Sequence, residues 1–192
     1  GTITGFVNDE TATFTTTGSQ TEVGSSDNTY AIVWDGTAKV SNYVIDPTVG
    51  RLTVTEQSIN PEKPGYKGIA IDRPENKVYT GLEQRWSPTV TDKDGNALVN
   101  DVDYEVSYDK DDFTNVTGTI TVTIKGKGNY TGSVTRTYEI TPATLTVTTP
   151  DKDKVYDGQP LTAEGTITGF VNGETATFTT TGSQTEVGSS DN

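Results

Sequence analysis

Apolar and polar residues alternate with a period of two along much of this chain. Ile120–Lys125 reads ITVTIK, Ser133–Ile140 reads SVTRTYEI, and Leu145–Thr148 reads LTVT. In an extended strand successive side chains point to opposite faces, so this alternation predicts strands with one face toward a core and one toward water. Between the runs stand Gly, Asn, Asp and Pro, the residues that turn a chain. No stretch carries apolar residues at a helical spacing. Short strands punctuated at regular intervals by turn residues predict an all-β fold of small sandwiches.

A second pattern runs at much longer range. Residues 1–28 recur as residues 165–192, with Asp9 against Gly173 as the sole difference. A copy this faithful, 164 residues on (165 minus 1), predicts a stretch of a long tandem array entered part-way through a repeat. Copies of a whole segment favour span, stacking or avidity over a single unique site.

The repeat period itself holds two related modules. Lys77-Val78-Tyr79-Thr80-Gly81 reappears as Lys154-Val155-Tyr156-Asp157-Gly158. Each is preceded by a strand-like run and a proline: Ile69–Ile71 with Pro74, and Leu145–Val147 with Pro150. Lys127-Gly128-Asn129-Tyr130 ahead of Ser133–Ile140 parallels Ser41-Asn42-Tyr43 ahead of Arg51–Glu56. One complete module is therefore expected at 67–141. The other is split, its N-terminal part at 142–192 and its C-terminal part at 1–59, where residues 29–59 continue the duplicated segment. Residues 60–66, with Pro61 and Pro64, read as a stiffened linker. Thr141-Pro142-Ala143 leaves almost no linker at the other junction, so the modules are expected to form an extended rod.

The KVY[TD]G motif, the late Asn-Tyr pair and the closing run Gly50-Arg51-Leu52-Thr53-Val54-Thr55, taken in that order, resemble the MBG and YDG repeat families of bacterial surface adhesins. The resemblance covers nearly the whole chain, and the split module fits it better; the stretch 67–141 departs by ending in TYEITPA. It implies immunoglobulin-like modules in tandem, outside the cell, in a wall-anchored or secreted protein of the bacterial surface. The expected role is a stalk or spacer that projects a distal functional domain. Two alternatives stand beside it: multivalent binding of host mucin or other glycans, and head-to-tail strand complementation between chains of the same protein to give a fibre.

Charge and composition narrow the field. Twenty-seven acidic residues against fourteen basic ones give a net charge of −13, a poor match for a nucleic-acid backbone. The same charge would hold neighbouring rods apart in solution. There is no Cys, so neither disulfide nor thiolate chemistry is available, and no His, the usual general base near neutral pH. An apolar fraction of 30% suits small sandwiches with one buried face per sheet. No run approaches the roughly 20 apolar residues of a membrane span, so insertion of this segment into a membrane is not expected.

Candidate chemistry is sparse. Trp34 and Trp86 occur once each per repeat and are the candidate platforms for a sugar face. Tyr79, Tyr156, Tyr43 and Tyr130 sit in repeated motifs and are expected to pack, with Tyr43 and Tyr130 also placing a hydroxyl on the backbone. Asp92, Asp94 and Asn96 offer oxygen ligands spaced suitably for calcium, although DKDGN is also an ordinary hairpin turn. Lys77 and Lys154 are possible donors for a self-formed crosslink. No residue is expected to be catalytic, because a glycosidase pair of carboxylates needs a cleft and two differently tuned acids. Apart from calcium, no cofactor is expected.

Overall fold

The computed structural model describes all residues, Gly1–Asn192. The chain is all-β: it has fifteen short strands, no α-helix, and one 3-10 turn at Val40–Asn42. No helix is long and apolar enough to cross a membrane. The first strands are β1 (Thr13–Thr16), β2 (Gly24–Asp27), β3 (Tyr30–Val33), β4 (Arg51–Val54), β5 (Gln57–Ser58) and β6 (Ala70–Ile71). They are followed by β7 (Lys77–Val78), β8 (Val90–Thr91), β9 (Tyr104–Tyr108), β10 (Ile120–Gly126) and β11 (Tyr130–Thr131). The last are β12 (Ser133–Tyr138), β13 (Ile140–Thr141), β14 (Thr146–Thr148) and β15 (Thr166–Thr168).

One sheet has three strands in the order β12-β10-β9, and the remaining strands pair in twos. β10 shows why the alternating sequence folds as it does. Ile120, Val122 and Ile124 are fully buried while Thr121, Thr123 and Lys125 turn outward. β12 repeats the pattern, with Val134 and Arg136 half-buried and Tyr138 buried on its inner face. Val90, Leu98, Tyr104, Phe113 and Ile140 are also buried. Each of these apolar side chains is worth about 1.5–3 kcal/mol when removed from water.

The chain divides into two compact units: Gly1–Ile71 with Thr89–Val106 and Ile124–Val134, and Asp72–Pro88 with Ser107–Thr123 and Thr135–Asn192. Each takes in part of the stretch 67–141. Within the first unit, residues 60–66 form a hydrogen-bonded turn, with Lys63 N on Asn60 O (3.1 Å) and Ser58 N on Gly65 O (3.2 Å). Just before it Ile59 is fully buried and donates its N–H to Thr131 O at 2.9 Å. The parallel pair β5–β11 fixes this entry.

The duplicated segments provide an internal comparison. Their local shapes agree. Gly5 and Gly169 have φ of +97° and +104°, Asn8 and Asn172 have +49° and +51°. Gln20 and Gln184 each cap a carbonyl two residues on at 2.7 Å. The 18–28 and 182–192 loops fold back so tightly that a Cβ on Gly18 or Gly182 would come within 2.6 and 2.5 Å of Asn28 and Asn192.

Their strand partners differ. In the first copy, β1 pairs with β3 and β2 with β4. In the second copy, residues 166–168 form β15 and pair antiparallel with β14, Thr146 opposite Thr168, Val147 opposite Ile167 and Thr148 opposite Thr166. The matching Thr2-Ile3-Thr4 of the first copy has no ladder partner.

Candidate functional site

The most site-like feature is an aromatic cleft of about 210 Å³ in the first unit, lined by Ile3, Phe6, Phe14, Tyr30, Trp34 and Tyr43 among others. The β1–β3 ladder builds one wall. Phe14 lies opposite Ile32 and Thr16 opposite Tyr30, so the period of two puts Phe14, Tyr30 and Ile32 on one face, with Trp34 two residues further on. Phe14 and Tyr30 stack at 5.7 Å and 26°. The 3-10 turn delivers Tyr43, whose ring stacks on Trp34 at 6.1 Å and 26°. Phe6 meets both rings edge-on, at 6.5 Å from Trp34 and 5.3 Å from Tyr43. Such offset and T-shaped contacts suit the aromatic quadrupole.

Polar groups fix the cluster. Val7 N donates to Tyr43 Oη at 3.2 Å, and that hydroxyl donates to the Glu10 carboxylate. Sharing its proton with Glu10 holds the Tyr43 phenol above its ordinary pKa. Asp35 accepts from Thr13 Oγ1 (2.9 Å) and Thr13 N (3.1 Å) at the start of β1, and the Thr13 hydroxyl above all holds its carboxyl below the ordinary value. Trp34 is half-buried, one face against Tyr43. The expectation that Tyr43 packs its ring and bonds through its hydroxyl is met, with Glu10 as a partner that motif reading had not named.

Trp86, in the second unit, is also half-buried but differently held. Its N–H donates to Tyr138 Oη at 3.2 Å, and its carbonyl accepts from Tyr108 Oη at 2.7 Å. Tyr138 in turn donates to Gln84 O at 3.3 Å. Burial raises the Tyr138 phenol pKa. Beside this clamp the Arg85 guanidinium lies 4.2 Å from the Phe113 ring centroid and 5.3 Å from that of Tyr108. Trp34 belongs to the first unit and Trp86 to the second.

The two KVYxG motifs, alike in sequence, part company. Lys77–Val78 is a strand paired in parallel with Ile140–Thr141, and Tyr79 is half-buried with its hydroxyl on Glu174. That bond raises the Tyr79 phenol pKa. Tyr156, expected in a core, is instead 58% exposed, and Val155 beside it 89%. The reason is the missing ladder: no strand pairs with Lys154–Val155, so nothing covers the ring. Lys154 is held locally by Asp157 Oδ1 and Gln159 O, both at 2.5 Å. A wider open cleft of about 760 Å³ beside it is lined by Pro150, Tyr156, Leu161 and residues 182–192.

The calcium candidates form a turn. Asp92 accepts from Asp94 N, Asn96 N and Asn96 Nδ2, each at 2.9 Å. These donors, the Asn96 side chain first, hold its carboxyl below the ordinary value. Asp94 faces the Lys93 ammonium at 2.6 Å instead. Gly95, at φ +85°, supplies the left-handed step that closes the hairpin. Asp92 and Asp94 thus spend their carboxylate oxygens on different partners, while Asn96 takes part as a donor. Tyr130 is half-buried in β11, and Asn129 beside it accepts Val23 N through Oδ1 at 3.0 Å and donates to Glu22. No protein-family model matches this chain, and neither a curated protein nor a solved structure matches it.

Proposed function

We propose that this chain is a stretch of a repetitive extracellular stalk, a row of small immunoglobulin-like sandwiches that spaces a distal functional domain from a bacterial surface. The stretch 67–141 is one module of the row, and 142–192 continued by a segment like 29–59 is the other. The observation that carries this reading is the duplicated segment, which keeps one local shape in two different surroundings. A part that holds its form whatever adjoins it is what a tandem array requires. The acid side chains agree with it: Asp92, Asp109 and Asp112 are each committed to turn or strand amides.

The test is length. In chains of one, two and three repeat periods, small-angle scattering should show the maximum dimension rising by a constant step. The longest strand, β10, has seven residues, about 23 Å at ~3.3 Å per residue, and turns at its ends bring a module to about 35 Å. Dimensions that grow as a compact globule instead would overturn the stalk.

A second reading, multivalent glycan binding, is favoured by the aromatic cleft at Trp34. Sugar faces stack on such rings, and weak sites gain from repetition. Mucin and glycan arrays probed with a multivalent display of the chain, with and without Trp34→Ala, decide it. Binding lost in the variant while β1–β3 stays folded supports the reading; no binding at high valency removes it.

A further inference from the structure

We infer that the parallel pair β7–β13 is a shear clamp, through which the stretch 67–141 carries tension. Its role in an array rests on the stalk reading, which asks only for length; its geometry does not. A pull passed along the chain loads this stretch toward its front and at its back. A front strand, Lys77–Val78, and the closing strand, Ile140–Thr141, are bonded to each other.

The two strands run the same way, with Ile140 opposite Lys77 and Thr141 opposite Val78. Tension drawn toward the N-terminus on β7 and toward the C-terminus on β13 therefore acts along the ladder in opposite senses. It slides the strands past each other rather than opening them from one end, so the bonds across the pair share the load. Lys77 N donates to Glu139 O at 2.9 Å and Tyr79 N to Thr141 O at 2.8 Å. Side chains add to these at both ends: Glu139 N donates to Asn76 Oδ1 at 2.9 Å, and Thr141 Oγ1 to Lys77 O at 3.2 Å. Ile140 is 1% exposed, and the Thr119 hydroxyl donates to the Glu139 carboxylate. Sliding β13 thus also means drawing Ile140 from its buried seat.

The first unit repeats the device. There β5 pairs in parallel with β11, Gln57 opposite Tyr130 and Ser58 opposite Thr131. Gln57 N donates to Asn129 O at 3.0 Å and Ile59 N to Thr131 O at 2.9 Å. An asparagine beside the ladder again adds a side-chain bond, Asn60 Nδ2 to Ser133 O at 2.9 Å. Parallel ladders need long connections and are slightly less stable per residue than antiparallel ones. What the arrangement gains is a direction of resistance. The antiparallel pair β14–β15 shows the contrast: Thr146 lies opposite Thr168 at one end, and a pull on those two residues opens it one bond at a time.

The chain has no cysteine, so thiol handles for single-molecule pulling can be set at chosen residues of the full chain. Glu75, Thr137 and Thr144 are exposed. Handles at Glu75→Cys and Thr144→Cys pull β7 and β13 from opposite ends, in shear. Handles at Glu75→Cys and Thr137→Cys pull from the same end and peel the pair. Shear loads the bonds together and peeling loads them in turn, so the first rupture force should exceed the second roughly two- to fourfold. Thr141→Val removes one bond at the end of the pair far from the peeling front. At a fixed force it should speed rupture about fivefold in shear and leave the onset of peeling unchanged. If the Glu75 handle disturbs folding, Arg73→Cys replaces it. Equal forces in the two directions, or an equal effect of Thr141→Val on both, would overturn the clamp. A chain that scatters as a globule would remove the stalk and leave both forces as they are, so clamp and stalk fail separately.

Discussion

Removing one oxygen atom, in Tyr138→Phe, should loosen a segment 52 residues away in sequence. Tyr138 is 1% exposed, and its hydroxyl both accepts the Trp86 N–H (3.2 Å) and donates to Gln84 O (3.3 Å). Phenylalanine keeps the ring and the packing, so the change isolates the two hydrogen bonds. At these lengths each is worth about 0.5–1 kcal/mol net, and the partners are left without an exchange for their lost bond. The expected loss is about 2 kcal/mol, which is roughly a 30-fold faster opening at the Trp86 amide. Tyr108→Phe, which frees the Trp86 carbonyl, should cost about 1 kcal/mol. Both hydroxyls hold one residue, so the double variant should cost less than the sum, by at least ~0.5 kcal/mol. Hydrogen exchange at the Trp86 amide is the direct readout, because it registers local opening whether or not the two units unfold together. Tyr156→Phe, on an exposed ring, is the control and should change nothing. A Trp86 exchange rate in Tyr138→Phe within threefold of the parent would show that the clamp does not hold the segment.

Three further outcomes rest on the same geometry. Gly5→Ala and Gly169→Ala share a left-handed backbone and so a similar strain of about 1–2 kcal/mol, but in dilute solution only Gly169→Ala should strip exchange protection from β14, whose Thr144 carbonyl it meets. Ile124→Ala, in the buried face of β10, should destabilise by about 2–5 kcal/mol, while Val33→Ala, 53% exposed, should stay within about 0.5 kcal/mol, both by urea titration. The Asp92 carboxyl is held below its ordinary 3.8 in the folded chain, so its contribution is present above that value and disappears as the pH falls through the lower folded one. Melting curves should therefore show Asp92→Asn weaker than the parent at neutral pH and converging with it in acid; a gap that does not change with pH would show that the turn amides do not depend on the charge.

How much of this was legible in the sequence depends on the range of the contacts. Ile120, Val122, Ile124, Val134 and Tyr138 could be placed on inner faces because alternation is a local signal. The duplicated segment was equally plain, and its local shape does follow its sequence. The two KVYxG motifs show where motif reading stops: Tyr79 and Tyr156 each follow Lys-Val and stand two before a glycine, yet one has Ile140–Thr141 beside its strand and Glu174 on its hydroxyl while the other stays exposed. The Tyr108–Tyr138 clamp on Trp86 gave no advance sign, since its members lie 22 and 52 residues away and a hydroxyl's target has no periodicity. Parallel pairs of two-residue strands such as β5–β11 were out of reach for the same reason. At the aromatic cleft, Trp34 stood out by rarity alone, while Phe6, Phe14 and Tyr30 needed the β1–β3 register before they could be joined to it.

The equal copies also set a problem of timing for the growing chain. β3 can take as its partner Thr13–Thr16 or the indistinguishable Thr177–Thr180, and nothing in their sequence prefers one. Synthesis breaks the tie. At about 5–20 residues per second, the second copy leaves the ribosome roughly 8–30 s after the first, whereas a hairpin closes in about 1–10 μs. The nearer partner is bound before its rival exists. Made in order, the array sorts its identical parts by birth date, and a denatured chain, which meets all its copies at once, has no such clock to consult.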